Sequence, residues 1–194
     1  TATLRILGSH LDASTIPQVK AGHEIALVTL AIEQPELDSR PRGTGLLVSD
    51  QVATVRAKAL THATAKWKWI AEEMGPGKHV VRLSYGRGND HGPLREVSLY
   101  DDQLITLAMH DAGKLLGVSI TRGNLLGADV VRWKGSLPTM RPGHREKVQQ
   151  FRNSLQDLEG VTAVGAWLSG NGLAAVTADT RRTMHEFIDA TSAD

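Results

Sequence analysis

Gly170, Asn171, Gly172, Leu173, Ala174 and Ala175 match G-x-G-x-x-A between an expected strand at residues 161–167 and an expected helix at 173–190. A dinucleotide-binding fingerprint also needs a following strand with an acidic residue at its end, and the 194 residues stop before either. What remains is a glycine turn at a helix start, where free N–H groups and the helix dipole favour a phosphate or an electron-rich ring edge. A plain turn fits the same residues. Lys66, Trp67, Lys68 and Trp69 interleave charge with rings, which suits stacking on a planar anion, or equally anchoring a loop while the lysines stay in water. Arg132 and Trp133 pose the same choice.

Other chemistries are poorly served. The eight histidines show no H-x-x-x-H or H-E-x-x-H spacing, so no metal site is expected. His110 and Asp111 are adjacent and are expected to point apart. His144 stands near a helix start, where capping or packing explains it. No G-x-S-x-G elbow is present for a serine hydrolase, and no catalytic residue can be named.

The elements that must position these residues follow from periodicity. Residues 24–33 (EIALVTLAIE) form a continuous apolar run, which predicts a central strand covered on both faces. Residues 42–49 and 51–62 predict a hairpin turning at Ser49 and Asp50. In its second arm Ala53, Val55, Ala57 and Ala59 would face the core, opposite a basic face of Thr54, Arg56 and Lys58. Residues 79–85 repeat the alternation, with Arg82 and Ser84 facing outward. Leu104, Leu107, Ala108, Ala112 and Leu115 fall at helical steps after Asp101, with Gly117 as the stop. A short strand at 129–133 leads to a helix from about Pro142, with Val148, Phe151, Leu155 and Leu158 inward and Gly160 at its end. These elements define an α+β fold: a mixed, largely antiparallel sheet with helices packed against it.

Composition bounds the rest. With 41% hydrophobic and 22% charged residues the chain can bury a core, and its formal charge of +1 offers no broad field for nucleic acid. The absence of cysteine removes disulfide and thiolate chemistry and agrees with a cytoplasmic setting. No run reaches the roughly 18 apolar residues of a membrane-spanning helix, which leaves peripheral membrane contact open. The first residue is Thr1, not Met, so a trimmed or fragmentary chain is expected.

Read in order, several segments resemble the oxygen-dependent porphyrinogen oxidases, within the flavin amine-oxidase superfamily. Gly43, Thr44, Gly45, Leu46, Leu47 and Val48 are similar to the family's glycine, apolar, valine strand. Ala65, Lys66 and Trp67 resemble its Lys-Trp segment, and residues 81–87 (VRLSYGR) its Arg, Ser, Gly, Arg strand. Arg132, Trp133, Leu137, Pro138, Gly143, His144, Arg145 and Val148 resemble its RW, LP, GH and V series. Val164, Gly165, Ala166, Gly170, Asn171, Gly172 and Leu173 resemble its terminal turn. Thr139 and Met140 depart from the usual Gln-Tyr, Asn171 from a valine, and Ala174 and Ala175 from Pro-Asp.

The resemblance implies the carboxy-terminal portion of such an enzyme. Residues 1–160 would belong to the substrate domain, and residues 161–194 would be the closing strand, turn and helix of the FAD-binding domain. Trp133, Asn171, Gly172 and Leu173 would then touch FAD, and Arg56, Lys58 and Arg82 would meet the carboxylates of a porphyrinogen. The implied partners are that substrate and a missing amino-terminal FAD-binding portion, without which FAD would not be retained and the chain would be inactive. A non-catalytic porphyrin-binding or interaction module, or part of another flavin amine oxidase, are the alternatives.

Overall fold

A computed structural model describes residues 2–17, 24–86, 96–134 and 142–192. In chain order the elements are α1 (Ala2–Leu7), β1 (Ile25–Glu33), β2 (Gly45–Leu47), β3 (Ala59–His62), α2 (Ala63–Lys66), α3 (Lys68–Met74), β4 (Lys78–Tyr85), α4 (Asp101–Leu116), β5 (Leu125–Trp133), α5 (His144–Leu155), α6 (Ala166–Ser169) and α7 (Leu173–Thr191). Two compact units result, His23–Lys134 and Thr1–Gly22 with Gly135–Asp194. No helix among the described residues is long and apolar enough to cross a membrane.

The larger unit is built on a five-stranded sheet in the order β2-β3-β4-β1-β5, all neighbours antiparallel. In β1, Ala26, Val28, Leu30 and Ile32 are fully buried, while Ile25, Leu27, Thr29 and Ala31 are only partly covered. The strand is therefore sealed on one face, not on both as its continuous apolarity suggested. Cross-strand partners continue the buried face into Val81, Leu83 and Tyr85 of β4 and Leu60 of β3.

Helix α4 covers that face with Leu104, Ala108, Met109, Ala112 and Leu116. Its apolar residues recur every three to four positions, Asp101 and Asp102 suit the positive N-terminal end, and Gly117 closes it in the left-handed conformation at φ 75°. The alanines are small enough to bring the helix close to the strands. Each fully buried Leu, Ile or Val here stabilises the unit by roughly 1.5–3 kcal/mol.

The expected hairpin is present but shorter and wider. Only Gly45–Leu47 and Ala59–His62 pair, and residues 48–58 form a broad connection. Gly45 at φ 141° is required, since a Cβ there would lie 2.3 Å from the Leu60 carbonyl oxygen. Val55 and Ala57 are buried as expected, yet Ala53 is exposed and Ala59 is not on the core face. Ala59 lies opposite Ser84, and the Lys58 N–H also bonds the Ser84 carbonyl at 2.8 Å. Two residues thus oppose one, a bulge that shifts the alternation so that Leu60 and His62 turn inward.

In the smaller unit Val148, Phe151 and Leu155 of α5 pack with Leu7, Ile16 and Leu168, and the Phe151 and Trp167 rings lie 5.4 Å apart. Residues 161–165 have no regular structure, and Ala166–Ser169 is a single helical turn. This overturns the expected strand at 161–167. A strand needs a partner to complete its ladder, and the described residues of this unit contain none.

Candidate functional site

The partly open face of the sheet can be read row by row from the register. One row runs Leu47, Ala59, Ser84, Leu27 and Val131, and the next Gly45, Thr61, Arg82, Thr29 and Asp129. Beyond them Ile25 pairs with Trp133 at the end of β5. Small and apolar residues thus form a platform with one cation, Arg82, and one carboxylate, Asp129. Leu47 is 87% and Trp133 56% exposed. Such a contiguous apolar surface bounded by charge suits a large flat ligand or another protein surface.

Of the three expected substrate cations, Arg82 alone stands on this platform. Arg56 lies outside any strand, and its Nη2 meets Glu96 Oε1 at 2.5 Å. The Lys58 ammonium donates to the Gly86 carbonyl at 3.2 Å. Neither forms part of a basic strand face, because the bulge ends the regular alternation before reaching them.

Arg132, the neighbour of Trp133, turns to the opposite face. Its guanidinium donates to the carbonyls of Val97 (3.0 Å) and Leu99 (2.6 Å) and to Asp101 Oδ1 (2.5 Å). By tying β5 to the start of α4, it fixes the strand end that presents Trp133. Leu137, Pro138, Thr139 and Met140, like Arg87, lie outside the described residues.

The glycine turn belongs to the smaller unit. Gly170 adopts φ 103°, and Gly172 precedes α7 with φ −84°, accessible to any residue. A Cβ on either glycine would meet nothing within 4 Å. Asn171 and Leu173 are exposed, Leu173 to 87%. The N-cap residue Gly172 carries no side chain to bond the first turn of α7, and a helix start of this kind favours an electron-rich ligand.

The buried polar residues carry no local signal in the sequence. Asp111, fully buried on α4, accepts through Oδ2 from the N–H groups of Arg56 (3.0 Å) and Ala57 (2.8 Å) and from the Tyr85 hydroxyl (3.3 Å). Burial, then the Asp111 charge and hydrogen bond, push the Tyr85 hydroxyl well above its ordinary pKa. His110 does not point apart from its neighbour, for its Nδ1 lies 3.3 Å from Asp111 Oδ1. His144 opens α5, with Gly143 as the capping position. Trp67 and Trp69 are both exposed, and the Lys66 ammonium sits 4.7 Å over the Trp67 ring.

The larger unit's antiparallel sheet, open on one face and covered by a long helix on the other, and the smaller unit's glycine turn opening a helix belong to a flavin amine-oxidase type of fold. The crystal structure of reduced UDP-galactopyranose mutase shares it, with a TM-score of 0.54 at 12% identity over 77% of this chain and 30% of that one. No family model matches the chain.

Within that class the chain is similar to the porphyrinogen oxidases. It is 30% identical over 168 residues to the coproporphyrinogen III oxidase of Mycobacterium bovis, covering 87% of this chain and 34% of the relative. The crystal structure of a candidate protoporphyrinogen oxidase from Exiguobacterium sp. 255-15 superposes with a TM-score of 0.71 at 26% identity, over 95% of this chain and 38% of that one. The chain spans about a third of the length of the curated relatives it matches.

Proposed function

We propose that the chain is the substrate-side and flavin-capping portion of an FAD-dependent porphyrinogen oxidase of haem biosynthesis, acting in the cytoplasm. The observation that carries this reading is a pair of uncovered apolar surfaces. One is the apolar platform holding Leu47, Val131 and Trp133, and the other is the start of α7 at Leu173. Monomeric proteins seldom leave such side chains in water without a ligand or partner to cover them. The functional division at residue 160 is part of the proposal, although α5 packs with Leu168 beyond it.

The residues fit a flavin in two respects. A helix start can direct N–H groups to an electron-rich ring edge, and Gly172 leaves room for it to approach the backbone. An exposed Trp133 offers a flat apolar contact. The chemistry supplied by bound FAD is removal of hydrogens from the porphyrinogen macrocycle, with oxygen as the final acceptor. The chain's own share is positioning: the platform holds the macrocycle, Arg82 meets a substrate carboxylate, and Arg132 fixes the strand end carrying Trp133.

The isolated chain should therefore be folded but colourless, and supplying the family's amino-terminal portion, fused or in trans, should restore flavin binding. In the reconstituted protein Trp133→Ala should lower retained flavin several-fold, whereas Trp69→Ala should not. Both rings are largely in solvent, so neither change should move the melting temperature much. Flavin absorbance after gel filtration reads the outcome. A stoichiometrically yellow isolated chain, or equal losses from the two variants at matched stability, would refute the reading.

A further inference from the structure

His62 and His79 carry polar rings on the buried face of the sheet, opposite the platform of Arg82 and Trp133. His62 is 0% exposed, and both residues alternate with core side chains, Leu60 beside one and Val81 beside the other. His62 Nε2 lies 3.1 Å from His79 Nδ1, to which the Thr64 hydroxyl comes within 3.2 Å. His79 Nε2 lies 3.2 Å from Asp38 Oδ1.

The carboxylate favours a proton on His79 Nε2, which leaves His79 Nδ1 to accept from the Thr64 hydroxyl and from His62 Nε2–H. Proton placement then ends at His62 Nδ1. That atom is a buried lone pair with no hydrogen-bond partner among the described residues, and His79 Nε2, although 3.2 Å from Asp38 Oδ1, is likewise without an aligned hydrogen bond. A buried acceptor left without a donor costs about 1–3 kcal/mol, so an occupant able to donate a hydrogen bond is called for.

The two histidines line a cavity of about 660 Å³. Its permanent cations are Arg40, Lys66, Lys68 and Lys78, set against the carboxylates of Asp38 and Glu72, which leaves two positive charges in excess. Lys68 reaches Glu72 at 3.4 Å and Asp38 is engaged by His79 and the Gly77 N–H. Arg40 has no carboxylate partner among the described residues. Its backbone is held in the left-handed region at φ 53°, with its N–H on the Leu37 carbonyl. Its charge is felt by both histidines, which are held below their ordinary pKa first by burial.

We propose that this cavity binds a phosphate-bearing small molecule, with one proton shared between the phosphate and His62. The negative charge of the phosphate opposes the excess on the walls. A phosphate monoester also keeps a second proton with a pKa near 6, close to that of imidazole, so that it can donate a P–OH to His62 Nδ1 or accept from the protonated ring. A carboxylate at neutral pH has no such proton to share. The site is independent of the flavin reading and stands or falls without it.

Inorganic phosphate is the probe, titrated into the 194-residue chain by calorimetry at constant ionic strength, with the histidine Cε1–H resonances followed by NMR. Saturable binding at pH 7.5 should shift the His62 and His79 resonances. Sulfate, of the same shape and charge but without a proton to share, should bind more weakly.

Arg40→Asn removes the charge while tolerating a positive φ, and should weaken phosphate binding about tenfold or more at an unchanged melting temperature. Lys78→Gln tests the same point through an exposed side chain of β4. Absence of saturable binding, equal affinity for sulfate, or an affinity indifferent to both variants would overturn the proposal.

Discussion

At residue 172 the glycine has an ordinary φ of −84° and open space where a Cβ would stand. Left-handed geometry and internal crowding therefore do not explain it, whereas both explain Gly45. Gly172→Val should cost the isolated chain no more than about 1 kcal/mol, the usual penalty for a poor helix-capping residue. In the protein reconstituted with its amino-terminal portion, the same change should abolish flavin retention, because the side chain would fill the space proposed for the cofactor. Thermal melts of the chain and flavin absorbance of the complex separate the two effects. If the valine variant of the chain unfolds outright, the glycine is structural.

Among the elements, the long connection at 48–58 is held by a carboxylate from across the core. Asp111→Ala would leave the N–H groups of Arg56 and Ala57 and the Tyr85 hydroxyl without their acceptor, for a loss of roughly 3 kcal/mol, whereas Tyr85→Phe removes one long bond and should cost about 1 kcal/mol. Urea midpoints, with amide exchange at Arg56 and Ala57, would show the order; equal losses would show that the anchor is not Asp111. Helix α4 and strands β1 and β4 were legible because their apolar positions recur with one clear period. Lys58 and Ala59 were not, since a bulge changes parity without changing composition. Residues 161–167 have strand-like composition, but a ladder depends on a partner that no local pattern supplies. The platform was half legible: Arg82 and Trp133 could be named, but only the register reveals that they share a face while Arg132 and Lys58 do not.

For the molecule as a whole, the buried histidines set a dependence of stability on pH. Burial first, then the charges of His79 and Arg40, push His62 down to about 4, while the unfolded chain titrates near 6.5. The unfolded state therefore holds the extra proton between these values. Stability from this group is complete above about pH 6.5 and is lost as pH falls towards 4, by an amount on the order of 3 kcal/mol. In phosphate-free buffer the urea midpoint should fall between pH 7.5 and 4.5 by more in the wild-type chain than in His62→Phe; parallel falls would assign the effect to other groups. Strand β1 carries a further consequence through its two neighbours. Its partners β4 and β5 lie tens of residues later in the chain, and the pairing of Ile25 with Trp133 spans roughly a hundred. During synthesis β1 thus leaves the ribosome before either partner, and at a few to about 20 residues per second it waits several seconds for an edge to be covered. Over that interval IALVTLAIE is a naked sticky segment, and the yield of folded chain should depend on how quickly translation delivers β4 and on whether a chaperone holds the strand until it arrives.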